Sequence, residues 1–240
     1  MSLTNPEISL LIKLLIAHMV SDYFLQFSSW SKDKEINKIR SKKLYLHILI
    51  TFLAALVFSG NFWAALFIGV THYLIDLGKI YRKQNRFILF LVDQALHTFI
   101  LIITWLFLIS GWEWLRDAFI WLVDEPKTWI LVFVYGVITF PLSVVINIFT
   151  HKWRSQLEPD RQESLQKAGL WIGIFERVLI LTFILTSQFS AMGFLIATKA
   201  ILRFKDTETK QMEYVLIGTL MSITPTILLG ILANYLINSL

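Results

Sequence analysis

Apolar residues run through this chain in long stretches broken by short polar segments. The stretches are too long and too many for the core of a soluble domain. Eight of them read as membrane helices, at roughly 7–28, 44–60, 62–80, 87–110, 128–150, 170–187, 189–204 and 213–238. The second, sixth and seventh are short for a full span. Asn61 leaves only a tight turn between the second and third, and Thr186–Ser190 does the same between the sixth and seventh. Pro126 suits the start of a helix, whereas Pro141 and Pro225 fall inside apolar runs and predict kinks. The expected fold is an all-α, polytopic transmembrane bundle of about eight helices. Residues 1–110 form one four-helix unit and residues 111–240 a second, packed with the first as one domain.

Charge orients this pattern. Most of the 22 Lys and Arg residues fall in alternate loops: Lys32 to Lys43, Lys79 to Arg86, Lys152 to Lys167, and Arg203 to Lys210. The opposite loops hold Arg116 and Lys127 beside four carboxylates. The positive-inside rule then puts the basic loops in the cytoplasm and both termini outside. Trp112, Trp114, Trp121 and Trp129 cluster around the outer 111–129 loop, as residues at a membrane interface do, and a short amphipathic helix is expected there.

Composition agrees. The 240 residues are 56% hydrophobic and only 16% charged, against about 25% in an ordinary soluble domain. Mean hydropathy is +0.63. Cysteine is absent, which excludes disulfides, thiolate metal sites and thiol catalysis. The N-terminus has no basic segment ahead of its apolar run and does not read as a signal peptide. The net charge of +5 is explained by cytoplasmic loops, so no nucleic-acid partner is expected.

The polar residues inside the apolar runs are the candidate chemistry. His18, Asp22 and Gln26 stand four residues apart. His72, Asp76 and Lys79 repeat the pattern, and Asp93, Gln94 and His97 repeat it in reverse. Given the topology, each His lies about 6 Å deeper than its Asp, from four residues at ~1.5 Å rise. His47 enters from the cytoplasmic end of the second helix. Four histidines and three aspartates are thus expected to gather in the cytoplasmic half of helices one to four.

An ionised side chain at the centre of a membrane helix costs about 2.5–3.5 kcal/mol, so these groups should face one another or a wet cavity. A divalent metal, zinc or another transition ion, is one solution. His18, His47, His72 and His97 would be its ligands, with Asp22, Asp76 and Asp93 as ligands or catalytic carboxylates. Gln26, Lys79 and Gln94 are candidate substrate-binding residues. The plain alternative is hydrogen-bonded glue between helices, with Lys79 a cytoplasmic anchor and His151 an interfacial residue. A second polar set comprises Glu176, Arg177, Lys199, Arg203 and Glu213. It reads as intramembrane ion pairing, with lipid-phosphate binding as the alternative.

Ala-His-Met-Val-Ser-Asp-Tyr-Phe-Leu-Gln, the later His47, Thr-His-Tyr-Leu-Ile-Asp-Leu-Gly-Lys and Val-Asp-Gln-Ala-Leu-His resemble the bacterial membrane family known as domain of unknown function 3307. Gly-Ile-Phe-Glu-Arg, Ala-Thr-Lys-Ala-Ile-Leu-Arg-Phe and Glu-Tyr-Val-Leu-Ile-Gly-Thr-Leu look like its extended form. The resemblance implies a multi-pass protein of the bacterial inner membrane, with the ten N-terminal polar residues named above as matched positions. It implies no activity. A fainter likeness is to metal-dependent membrane hydrolases.

Three functions remain open on the sequence. One is a metal-dependent hydrolase of a lipid-linked or phosphorylated substrate at the cytoplasmic side. Another is a proton-coupled transporter with the His/Asp set as relay. The third is a scaffold or sensor in contact with membrane lipids. Soluble-enzyme motifs such as a P-loop, a Gly-x-Ser-x-Gly elbow or a dinucleotide fingerprint are missing.

Overall fold

A computed structural model describes residues 3–82, 85–154, 159–203 and 209–240, and the described residues are helical and strand-free. They divide into two compact units, Met1–Phe119 and Ile120–Leu240.

In the first unit, α1 (Asn5–Met19) starts where the Glu7 carboxylate accepts from the Thr4 backbone N–H at 2.7 Å. It does not continue as one helix to residue 28. Val20–Phe24 form a π turn, closed by the Leu25 N–H on the Val20 carbonyl, and the chain then bends by 80° into α2 (Ser28–Asn37). The α2 helix folds back onto the bundle. Lys38, at φ 51°, ends it and donates from Nζ to the Ile80 carbonyl at 2.7 Å.

Ser41 then caps α3 (Lys42–Ser59): its Oγ accepts from the Leu44 N–H and donates to Asp33. Gly60, at φ 66°, and Asn61, whose side chain accepts from the Ala64 N–H, make the tight turn into α4 (Phe62–Tyr81). Asn85 caps α5 (Arg86–Leu108). The α1 helix packs on α3 and α5, and α4 packs on both of those, so the four close a ring. Its apolar end is filled by Leu14, Ala55, Ala65, Ile68, Leu101, Trp105 and Leu106. The Trp105 indole N–H donates to the Glu7 carbonyl at 2.7 Å. The expected helix near residues 111–129 is α6 (Trp112–Asp124), none of whose side chains is buried.

The second unit contains α7 (Pro126–Ile138), α8 (Phe140–Phe149), α9 (His151–Arg154), α10 (Pro159–Leu185), α11 (Phe189–Arg203) and α12 (Thr209–Ser239). The kink expected at Pro141 is a full break at Thr139, where ψ is −105°. Pro225, by contrast, leaves α12 continuous. Val134, Ile138, Leu181 and Ala233 form one core cluster, and Ile180, Ile184 and Ile223 another.

Large apolar side chains cover the outer faces of both units, among them Val57, Trp63 and Phe107 in the first and Phe133, Ile148 and Leu228 in the second. Such faces suit lipid rather than water. Among the described residues, four stretches, Lys42–Ser59, Arg86–Leu108, Pro126–Phe149 and Glu213–Ser239, are long and apolar enough to cross a membrane. Counting the bent pair that starts at Asn5 makes five. The count falls below eight for local reasons. His72, Asp76 and Lys79 lower the mean hydropathy of α4, and the apolar part of α11, Phe189–Lys199, is short.

Candidate functional site

The four-helix ring of the first unit gathers His18 and Asp22 from α1 and the π turn, His47 from α3, His72 and Asp76 from α4, and Asp93 and His97 from α5. All seven side chains are buried. The Gly60–Asn61 turn makes α3 and α4 antiparallel neighbours, which sets His47 opposite His72, their Nε2 atoms 3.0 Å apart. The Asp22 Oδ1 atom lies 3.5 Å from His72 Nε2 and 3.7 Å from His47 Nε2. The His97 Nε2 atom lies 3.5 Å from Asp93 Oδ1 and 3.7 Å from Asp76 Oδ1. The rings of His72 and His97 stack with centroids 4.0 Å apart.

The histidines stand on the apolar side. His18, His72 and His97 line a void of about 10 Å³ with Leu14, Ile68 and Leu101, room for about one water. The aspartates stand on the side of two lysines. Lys79 donates to Asp93 Oδ2 at 2.8 Å, its own side chain 41% exposed. Lys34 Nζ donates to Asp76 Oδ2 at 2.6 Å and is buried.

Gln94 and Gln26 both serve this cluster. The Gln94 amide nitrogen donates to Asp93 Oδ2 at 3.2 Å, which fixes its oxygen toward His18 Nε2 and the Tyr23 hydroxyl. An oxygen accepts only, so His18 carries a proton on Nε2. In neutral His18 the Nδ1 lone pair then faces Asp22 Oδ1 at 3.5 Å, acceptor against acceptor. The Gln26 amide fits with its oxygen 2.6 Å from Lys34 Nζ and its nitrogen on the Asp22 carbonyl. Gln26 thus holds Lys34 and the π turn, a hydrogen-bonding role that the sequence offered beside substrate binding.

The sequence reading missed Lys34, Tyr23 and the Ser21 hydroxyl, which donates to Asp22 Oδ1 at 2.9 Å. Lys34 had no signal of its own inside a run of loop lysines. Tyr23 and Ser21 flank Asp22, and only the π turn brings both into contact with the cluster.

The arrangement suits a cation. Three groups of His and Asp atoms converge closely enough to hold a metal ion: His18, Asp22 and His72; His47, His72 and Asp76; and Asp76, Asp93 and His97. Among the described residues, the buried Asp93 Oδ1 and His97 Nε2 have no hydrogen-bond partner, although they face each other. Buried polar atoms without partners cost about 1–3 kcal/mol each, and a shared ion would satisfy both. His47 Nδ1 also has no partner, which departs from the usual outer support of a ligating histidine.

A family model described as protein of unknown function (DUF3307) matches residues 10–121. Over those residues, just under half of the chain, the protein is similar to that family. Every member of the His/Asp/Lys cluster falls inside the DUF3307 match, and the motifs of the second unit fall outside it. No curated protein and no solved structure matches the chain.

The second polar set is in the other unit and is organised differently. Glu176 accepts from Lys199. Arg177 is buried and donates to the Ile138 and Thr139 carbonyls and to the Ser143 and Ser222 hydroxyls. It therefore bridges the break that Pro141 makes between α7 and α8. Glu213 is exposed, and Arg203 lies outside the described side chains. His151 is exposed.

Proposed function

We propose that the His/Asp cluster binds a divalent transition metal, zinc being the best chemical match, and that the protein hydrolyses a lipid-linked or phosphorylated substrate there. The triangle of Asp22 Oδ1, His47 Nε2 and His72 Nε2, with edges of 3.0, 3.5 and 3.7 Å, carries this reading. Ligands bonded to one tetrahedral ion at about 2.0–2.1 Å stand about 3.3–3.4 Å apart. Charge points the same way: three carboxylates and two ammonium groups leave one negative charge in excess when the imidazoles are neutral.

A bound ion would supply Lewis acidity and a water activated at neutral pH. Lys79, half-exposed at the rim, is placed to hold an anionic group. Tyr23 and Gln94 border the same side. Asp93, held by Lys79, keeps Oδ1 available to take a proton. The basic loops and the apolar helices support the accompanying topology. In it, eight helices cross the bacterial inner membrane, both termini lie outside, and the cluster opens to the cytoplasm.

The test is metal analysis of the full chain purified without a polyhistidine tag, beside phosphate release from phosphatidic acid in mixed micelles. One equivalent of metal in the wild type and loss in a His47→Ala/His72→Ala variant are expected. A metal-free wild-type protein overturns the site, and bound metal without hydrolysis of any phospho- or lipid-ester overturns the activity.

A proton relay is the second reading, favoured by the 3.0 Å contact of His47 and His72, which needs one shared proton. Leu14, Ala55, Ile68 and Leu101 close the cluster's other side with apolar packing, which weighs against a path through the bundle.

A further inference from the structure

A cavity of about 480 Å³ lies within the second unit, between α8, α10, α11 and α12. That volume is in the range of small-molecule sites. Three of the positions along it are Gly169, Gly173 and Gly218. A Cβ at Gly169 would meet nothing within 4 Å, and at Gly218 only Thr150 Cγ2 at 4.0 Å, so the space is left by missing side chains.

The walls are mainly apolar, from Phe140, Val144, Ile146, Leu170, Ile172 and Val215. One region is charged. Glu176, Arg177 and Lys199 all border the cavity. The ion pair of Glu176 with Lys199 is internal. Arg177 commits four of its five N–H groups to described partners, which leaves one on Nη1. That nitrogen stands beside Gly173, 3.1 Å from where a Cβ would be, so the absence of a side chain there opens it to the cavity. A guanidinium on a backbone break needs no cavity, and a cavity of packing defects needs no charge. The two together describe a site with one anion-binding corner and long greasy walls.

We infer that this cavity binds an amphiphile: a hydrocarbon chain along the apolar walls and an anionic headgroup, carboxylate or phosphate, at Arg177 and Lys199. An anion there accepts from the remaining Arg177 N–H and lies near the Lys199 ammonium. The site belongs to the second unit, and the metal reading of the His/Asp cluster plays no part in it.

Native mass spectrometry of the full chain in a neutral detergent tests this with three probes: dodecyl phosphate, dodecanol and inorganic phosphate. Dodecyl phosphate is expected to bind one per chain, at least tenfold tighter than either other probe. Gly218→Leu fills the cavity without a clash at Cβ and should weaken dodecyl phosphate at least tenfold. Gly169→Leu is the second filling variant, and helicity and monodispersity of both verify that they fold. Unchanged binding in both folded variants overturns the site. Equal binding of dodecanol overturns the anionic corner, and equal binding of inorganic phosphate shows a small-anion site instead.

Discussion

Lys34 Nζ stands 2.6 Å from Asp76 Oδ2, with both side chains buried, although the two residues belong to different parts of the first unit. The contact exists because the chain bends by 80° after the π turn and brings α2 back against α4. Removing one member of a buried pair leaves the other charge uncompensated, at about 3–5 kcal/mol. Lys34→Met should therefore lower the stability of the purified protein by that amount. Adding Asp76→Asn to Lys34→Met should recover part of the loss. A double-mutant cycle on thermal unfolding measures the coupling, and purely additive effects would mean that the pair does not form.

The same pair shows what could be read from the sequence. Spacing of four residues along a helix is a local property, so the His18–Asp22, His72–Asp76 and Asp93–His97 pairs were legible from periodicity alone. The expectation that they meet followed from reversing the helix direction at each turn. Lys34 was not legible, because charge patterning places every lysine of a basic loop in water. The second polar set read as ion pairing, and Glu176 does pair with Lys199. That Arg177 instead serves the break at Thr139 depends on a backbone geometry that the sequence does not mark. The π turn has no marker in the sequence, and it ends α1 several residues before the apolar run does.

A ligand that binds only the folded protein raises its stability by about 2.7 kcal/mol at a hundred times its Kd. Zinc added to chelator-treated protein should therefore raise the unfolding temperature. The His47→Ala/His72→Ala variant should show no rise, because it lacks two corners of the Asp22–His47–His72 triangle. An equal rise in that variant would place the ion elsewhere.

Asp93 has one oxygen on Lys79 and the other without a described partner. If it moves the proton in hydrolysis, Asp93→Asn should cost about 10²–10⁴ in rate, the usual worth of a positioned acid or base. Metal content should stay near one per chain, because the Asp22–His47–His72 triangle is intact. Phosphate release from phosphatidic acid and metal analysis on the same sample separate the two effects. Loss of both together would make Asp93 a ligand and not a base.

Arg177 offers the sharpest stability test in the second unit. Its guanidinium covers the Ile138 carbonyl, which the break at Thr139 leaves without a helical partner, and also reaches the Thr139 carbonyl, which keeps the Ser143 N–H and hydroxyl. A buried carbonyl deprived of its partner costs about 1–3 kcal/mol, so Arg177→Met, which orphans the Ile138 carbonyl, should destabilise by about that amount. Arg177→Lys should rescue little, since a single ammonium cannot span two carbonyls and two hydroxyls in one plane. Pro141→Ala removes the ring that clashes with the Val137 carbonyl and lets the helix close, which would put the Leu142 N–H on the Ile138 carbonyl. In the Arg177→Met background it should return part of the lost stability, while in the wild-type background it gains less, because the guanidinium already holds that carbonyl. Chemical denaturation of the four proteins in one detergent measures both effects. Equal gains from Pro141→Ala in the two backgrounds would show that Arg177 and the break are energetically independent.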